Sequence, residues 1–284
     1  MLYAKGLSLK LCFKSHHYYF LAPIGFIMSI AHFSQFASSI QQYSIEELTQ
    51  SEHLKIGQSE TLSSYYTPFD FIQSQAQIVI VGICPGRAQW VNALTACKDA
   101  MQQHQDEHTI LKIAKQSGAF SGPIRKNLVN ILDHIGLAEK LNIASTQQLF
   151  EEDSHLVHMT SVLKQTIFSD GKNYAGSSPN MLKNAFLKQH INDYFIPEIQ
   201  VLPNALYIPM GKSVIEVLNY ISSLGYLKPS QILTGFPHPS GANAERIQYF
   251  LGLKTKESLS SKTNADKIDQ AKTQLIEQLK TIQF

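Results

Sequence analysis

Ile78-Val79-Ile80-Val81-Gly82-Ile83-Cys84-Pro85-Gly86 is the stretch on which the fold turns. The β-branched apolar run from Gln77 to Ile83 is too short for a helix and is closed by Pro-Gly. It therefore reads as a strand buried on both faces, the mark of a parallel sheet. In open α/β sheets ligands bind at the carboxyl ends of such strands. The Ile83–Gly86 loop is thus the first place to look for a site.

Working outward, residues 28–70 read as helical and then loop-like, with Ser44 and Glu47 forming a capping box that opens a short helix. After the loop, a helix is expected from Gln89 through Asn92, Leu94 and Met101 to about Ile113, then a Gly-punctuated loop from Ser117 to Pro123. Ile124, Leu128, Ile131, Leu132 and Ile135 share one face of the next helix, which Gly136 stops. A strand is expected within His155–Ile167, a loop over Asp170–Pro179, and a helix over Asn180–Asp193. Asn204–Pro209 is a third strand, and Gly211-Lys212-Ser213 opens a helix running to Tyr220. A short strand, Gln231–Thr234, leads into the turn Phe236-Pro237-His238-Pro239-Ser240-Gly241-Ala242-Asn243, and a helix starts near Ala244. Strands alternating with helices indicate an α/β fold: a three-layer α/β/α sandwich around a central, mostly parallel four-stranded sheet.

Residues 28–252 are expected to form one domain, and 253–284 a polar C-terminal helix centred on Ala265–Ile282. Two readings stand for residues 1–27. Lys5, Lys10 and Lys14 before the apolar run Tyr18–Met28 have the outline of a signal peptide; alternatively Met28 is the natural start and the preceding residues are upstream sequence. The apolar run is too short to span a bilayer, which takes about 20 residues. A net charge of +2 on 284 residues neither demands nor excludes nucleic acid. Three cysteines (Cys12, Cys84, Cys97) in no paired spacing argue against a disulfide framework, a zinc site or an iron–sulfur cluster. No cofactor or metal is expected, and the compartment is read as reducing cytoplasm.

The ordered set Gly82-Ile83-Cys84-Pro85-Gly86, Phe120-Ser121-Gly122-Pro123, Thr160-Ser161-Val162-Leu163-Lys164, Leu206–Lys212 and His238-Pro239-Ser240 resembles the uracil-DNA glycosylase superfamily over residues 77–250. The resemblance implies hydrolysis of the N-glycosidic bond of a base flipped out of DNA, by a monomer acting on single- or double-stranded DNA, in repair or in defence against phage. It assigns leaving-group stabilisation to His238. It places the base pocket at Ile83, Pro85, Gly86, Phe120, Thr160 and Ser161, with Phe120 either stacking on the flipped base or an ordinary core phenylalanine. The Ser240-Gly241-Ala242-Asn243 turn falls on DNA, with Ala242 too small to act as a wedge in the vacated stack. Arg246 is read either as a phosphate contact or as an inert helix residue. Lys172 and Tyr174 either line the DNA groove or belong to a polar surface loop.

Two departures qualify the resemblance. Where most relatives carry aspartate or asparagine to activate water, this chain has Cys84, and a neutral thiol is a weak acceptor. Water held by Gln89, Asn92, Asp170 or Asn173 is one solution. A Cys84 thiolate favoured by a helix N-terminus and acting as base or nucleophile is a second. Binding without cleavage is a third. The base-reading asparagine is replaced by Thr160 or Ser161, which puts strict uracil specificity in doubt and leaves room for a bulkier modified pyrimidine. His158, two residues before Thr160, either shares that face or is a buried histidine bonded to a neighbour. The competing functions are a catalytically silent DNA-binding module and a Cys84–His238 thiol hydrolase.

Overall fold

The computed structural model describes residues 32–118 and 123–284. The readings on residues 1–27, on Cys12 and Met28, and on Phe120 as a pocket residue lie outside them. The strands are β1 (Lys55–Ser59), β2 (Leu62–Tyr65), β3 (Ile78–Gly82), β4 (Val157–Ser161), β5 (Thr166–Ser169), β6 (Lys172–Asn173) and β7 (Leu206–Pro209). The helices are α1 (Phe33–Gln42), α2 (Ile45–Gln50), α3 (Arg87–Gln102), α4 (Glu107–Gly118), α5 (Pro123–His134), α6 (Leu137–Lys140), α7 (Ala185–His190), α8 (Ile196–Val201), α9 (Lys212–Ser223), α10 (Ala244–Phe250) and α11 (Ala265–Thr281).

β3 is buried at every residue and lies between β4 and β7, parallel to both. Its alternating side chains feed two cores, as a strand with period two must. Ile78 and Ile80 pack with Leu128, Ile131 and Leu132 of α5, Phe250 of α10, and Leu275 and Leu279 of α11. Val79 and Val81 face Leu187 of α7, Ile199 of α8 and Val214, Val217 and Leu218 of α9. A helix–sheet–helix arrangement follows. The C-terminal helix α11 is part of the packing, with Leu275 and Leu279 in the same core as β3.

The sheet differs from the sequence reading in two ways. The central sheet has three parallel strands, not four: the segment expected as Gln231–Thr234 reaches β7 only through an isolated parallel bridge, Tyr207 to Ile232, with Leu233 N–H donating to the Tyr207 carbonyl at 2.8 Å. A second sheet, antiparallel in the order β1-β2-β5-β6, was not anticipated. It includes residues 55–65, read as loop because they are polar and Ser-rich, and it splits the segment read as one strand over 155–167. Val162 to Gln165 carry the chain from one sheet to the other, all buried. Asp170 and Gly171, at φ 49° and 72°, form the two-residue turn between β5 and β6. Positive φ at both positions of a two-residue hairpin loop is the type I′ pattern that Asp-Gly favours.

The helix expected over 89–113 is two helices, α3 and α4, separated at His104 with φ 55°. They pack with α1 around Tyr66, Trp90 and Phe168, and the Trp90 indole N–H donates to the Tyr66 carbonyl at 2.8 Å. The helix expected over 180–193 starts at Ala185 and continues through a π-turn, Ile191–Phe195, into α8. The helices from Lys212 and Ala244, and the Ser44–Glu47 box, stand where the sequence puts them.

Candidate active site

Three chain segments meet at the carboxyl end of the parallel sheet. The first is the Ile83–Gly86 loop. Its carbonyls at Gly82 and Ile83 accept from Val162 and Leu163 N–H at 3.0 and 2.9 Å, tying the loop to the end of β4. Gly86 N–H donates to Gln89 Oε1 at 3.0 Å, and Arg87 N–H to Asn173 Oδ1 at 2.9 Å, so the start of α3 is capped by side chains as exposed helix termini require. The Asn173 amide lies so near Gly86 that a Cβ there would meet Nδ2 at 3.3 Å.

The second segment is the turn after Gly235. Ser240 N–H donates to His238 Nδ1 at 3.2 Å, and Asn127 donates to the Pro239 carbonyl at 2.8 Å. With Nδ1 accepting, the neutral imidazole carries its proton on Nε2. Burial holds the His238 pKa below its ordinary value, so this neutral donor form prevails at pH 7. The third segment is Gly211 after β7. Its φ is +111°, and a Cβ would meet His238 Cδ2 at 3.3 Å. The imidazole thus rests on bare backbone.

Between them lies a cavity of about 320 Å³, at the small end of ligand sites, which run about 300–1,000 Å³. Its wall brings together Ile83, Cys84, Pro85, Thr160, Ser161 and His238, all sequence candidates. Gln89 and Tyr174 also line it, as do Phe69, Met159 and Met210. Among the described residues no carboxylate is present in the wall. Ser240 and Asn243 are half-buried beside the cavity, Gly241 and Ala242 are exposed, and the Arg246 guanidinium is engaged by Asn243 Oδ1 and the Lys262 carbonyl. Lys172 is exposed on the β5–β6 hairpin. Tyr174 is buried, its hydroxyl donating to the Pro179 carbonyl, so its ring is a wall of the cavity rather than a platform on the surface.

Cys84 has the opposite character to an activated nucleophile. Its S–H donates to the Tyr174 carbonyl at 3.5 Å, and burial pushes its pKa up to about 12. Of the groups considered for holding water, Asn92 and Asp170 are exposed, Asn173 caps α3, and only Gln89 reaches the cavity. Phe69, like Met159 and Met210, is a lining residue that sequence reasoning missed. It follows Pro68 in a segment with no periodicity, and only packing against Gly118 and the cavity distinguishes it.

His158 belongs to a separate buried cluster. Its Nδ1 accepts from Gln73 N–H at 3.2 Å, and its Nε2 donates to Glu198 Oε1 at 2.8 Å. Lys164 Nζ lies 3.2 Å from Glu198 Oε2. Lys115 donates to the Phe71 carbonyl at 2.7 Å, and burial lowers its pKa to about 7. The structural reading of His158 is the one observed.

The chain is 35% identical over 207 residues to the uncharacterized protein YoxB of Bacillus subtilis (strain 168), a match covering 72% of this chain and 80% of that protein. The chain belongs to the YoxB family. No family model matches it. The crystal structure of wild-type Pedobacter heparinus SMUG2 is similar at a TM-score of 0.38 and 12% identity, covering 77% of this chain and 96% of that one. In this YoxB-family chain no helix among the described residues is long and apolar enough to cross a membrane, and no cluster of metal-ligand residues occurs among them.

Proposed function

We propose that this chain is a DNA glycosylase that hydrolyses the N-glycosidic bond of a modified base held outside the DNA stack. The observation that carries the reading is the His238 Nε2–H donor, fixed by Ser240 N–H on its other nitrogen and lining a cavity sized for one heterocycle. A base leaving C1′ departs with negative charge on its ring oxygens. A neutral donor aimed at that charge favours the transition state over the ground state. The ordered motifs of the sequence support the same reading, since they place His238 and the Cys84 loop on one pocket.

Among the described residues the cavity wall supplies no carboxylate to act as a base, and burial pushes the Cys84 thiol pKa up to about 12. The reaction we infer therefore breaks the C1′–N bond first, the base leaving as an anion; water then adds to C1′ and its proton passes to that departing base, with Thr160, Ser161 and Gln89 among the neutral polar groups of the wall. DNA contacts fall to the half-buried Ser240 and the exposed Gly241 and Lys172, toward phosphates, with base extrusion into the cavity. The missing carboxylate also favours a second reading, DNA binding without cleavage.

Incubation with oligonucleotides carrying uracil, hypoxanthine or substituted cytosines, scored for alkali-labile abasic sites, tests the proposal. Product on at least one substrate, abolished in His238→Ala, is expected. No product on any of them, together with salt-dependent binding, establishes the silent module instead.

A further inference from the structure

Two side chains in the cavity wall share an arrangement: each has its acceptor end taken by a backbone N–H of its own loop. For His238 this is Ser240 N–H on Nδ1; for Gln89 it is Gly86 N–H on Oε1, at 3.0 Å. A backbone N–H can meet only the oxygen of an amide, so the Gln89 flip is fixed and its Nε2 is the free end. Among the described residues no protein acceptor takes Nε2, and Gln89 lines the cavity. Cys84, the other polar group of that loop, has its hydrogen committed to the Tyr174 carbonyl. The start of α3 and the His238 turn therefore each leave one donor nitrogen without a described acceptor, on a residue that lines the cavity.

We propose that Gln89 is a specificity-determining residue of this site: its Nε2–H donates to a carbonyl oxygen of the bound base, at a different atom from the one His238 serves. The inference rests on the glycosylase reading. It selects keto bases over those that present an amino group at that position, because an amino group facing Gln89 Nε2 would set donor against donor and leave both unpaired. A site built to bond a substrate group rejects the analogue lacking it by large factors.

Two substitutions separate donating to a base from capping α3. Gln89→Glu keeps an oxygen for Gly86 N–H but turns the free end into an acceptor; Gln89→Met removes both. Each variant is assayed by single-turnover excision of uracil from a single-stranded oligonucleotide, with circular dichroism confirming the fold. Affinity for the same oligonucleotide carrying a tetrahydrofuran abasic site is measured in parallel. The expected result is a loss of at least about tenfold in kcat/KM for both variants, expressed mainly in KM. Abasic-site affinity should be unchanged, and Gln89→Glu should recover in part as pH is lowered toward 4.5, where a protonated carboxyl donates again. Gln89→Glu within twofold of wild type while Gln89→Met fails makes Gln89 a helix cap only and overturns the proposal. An equal loss on the abasic oligonucleotide places its effect on the DNA backbone and also overturns it. A wild-type protein that excises no base refutes the glycosylase reading itself, and the proposal with it.

Discussion

Replacing His238 by alanine removes the one imidazole donor among the described residues of the cavity and leaves Gly211, on which the ring rests, facing empty space. Removal of one preorganised donor to a developing oxyanion costs about 10²–10³ in rate, or roughly 3–4 kcal/mol. His238 is half-buried rather than sealed from water, so the lower part of that range applies. His238→Gln returns a donor without the Ser240 lock and should recover about a tenth of the wild-type rate. The assay is single-turnover excision at saturating enzyme, which separates the chemical step from DNA binding. Its pH profile carries a second test. Burial holds the imidazole pKa below its ordinary 6.5, and protonating Nδ1 would also break the Ser240 bond. The neutral form is then the working donor, and the rate should stay flat from pH 7 upward. A rate falling about tenfold per pH unit over that range would mean that imidazolium is required. That outcome, or a His238→Ala rate within about threefold of wild type, refutes the reasoning.

Cys84→Ser keeps a hydrogen donor for the Tyr174 carbonyl, so excision should change by less than about tenfold, under 1.4 kcal/mol; inactivation of the wild type by iodoacetamide at pH 7 would show a working thiolate instead. Gly211→Ala places a Cβ 3.3 Å from the His238 ring at φ +111°. It should destabilise the fold by about 1–3 kcal/mol by denaturant unfolding and lower the excision rate. Lys115 titrates near 7 folded against 10.5 in its ordinary state. Between those values the unfolded chain binds more protons, so the urea midpoint of the wild type should rise with pH across that window. Lys115→Met should flatten this rise; an unchanged slope would mean that Lys115 is not the group responsible.

Much of the site was legible in the chain because its pieces are local. A β-branched run closed by Pro-Gly can scarcely be anything but a buried parallel strand. The His238-Pro239-Ser240 turn sets its own hydrogen bond between residues two apart. The apolar face of α5 is likewise written in spacing alone. The β1–β2 hairpin is not: residues 55–65 are polar and Ser-rich, and they are strands because β5 pairs with them. One local signal was available and passed over, the Asp170-Gly171 turn that folds β6 back and brings Asn173 to the start of α3.

The sequence by itself determined the strand-and-loop grammar, the order of the two site segments and the absence of a carboxylate at Cys84. Only the tertiary structure decided the chemistry of what stands there. A helix N-terminus makes an ionised thiol one reading of the sequence; in the fold, burial pushes the Cys84 pKa up to about 12 and its S–H is given to the Tyr174 carbonyl. The same holds for Gln89, a residue of the cavity wall whose amide oxygen is committed to Gly86 N–H, which leaves its nitrogen without a partner among the described residues. Desolvation and hydrogen-bond partners depend on every segment that closes around a group, and most of those segments are distant in the chain.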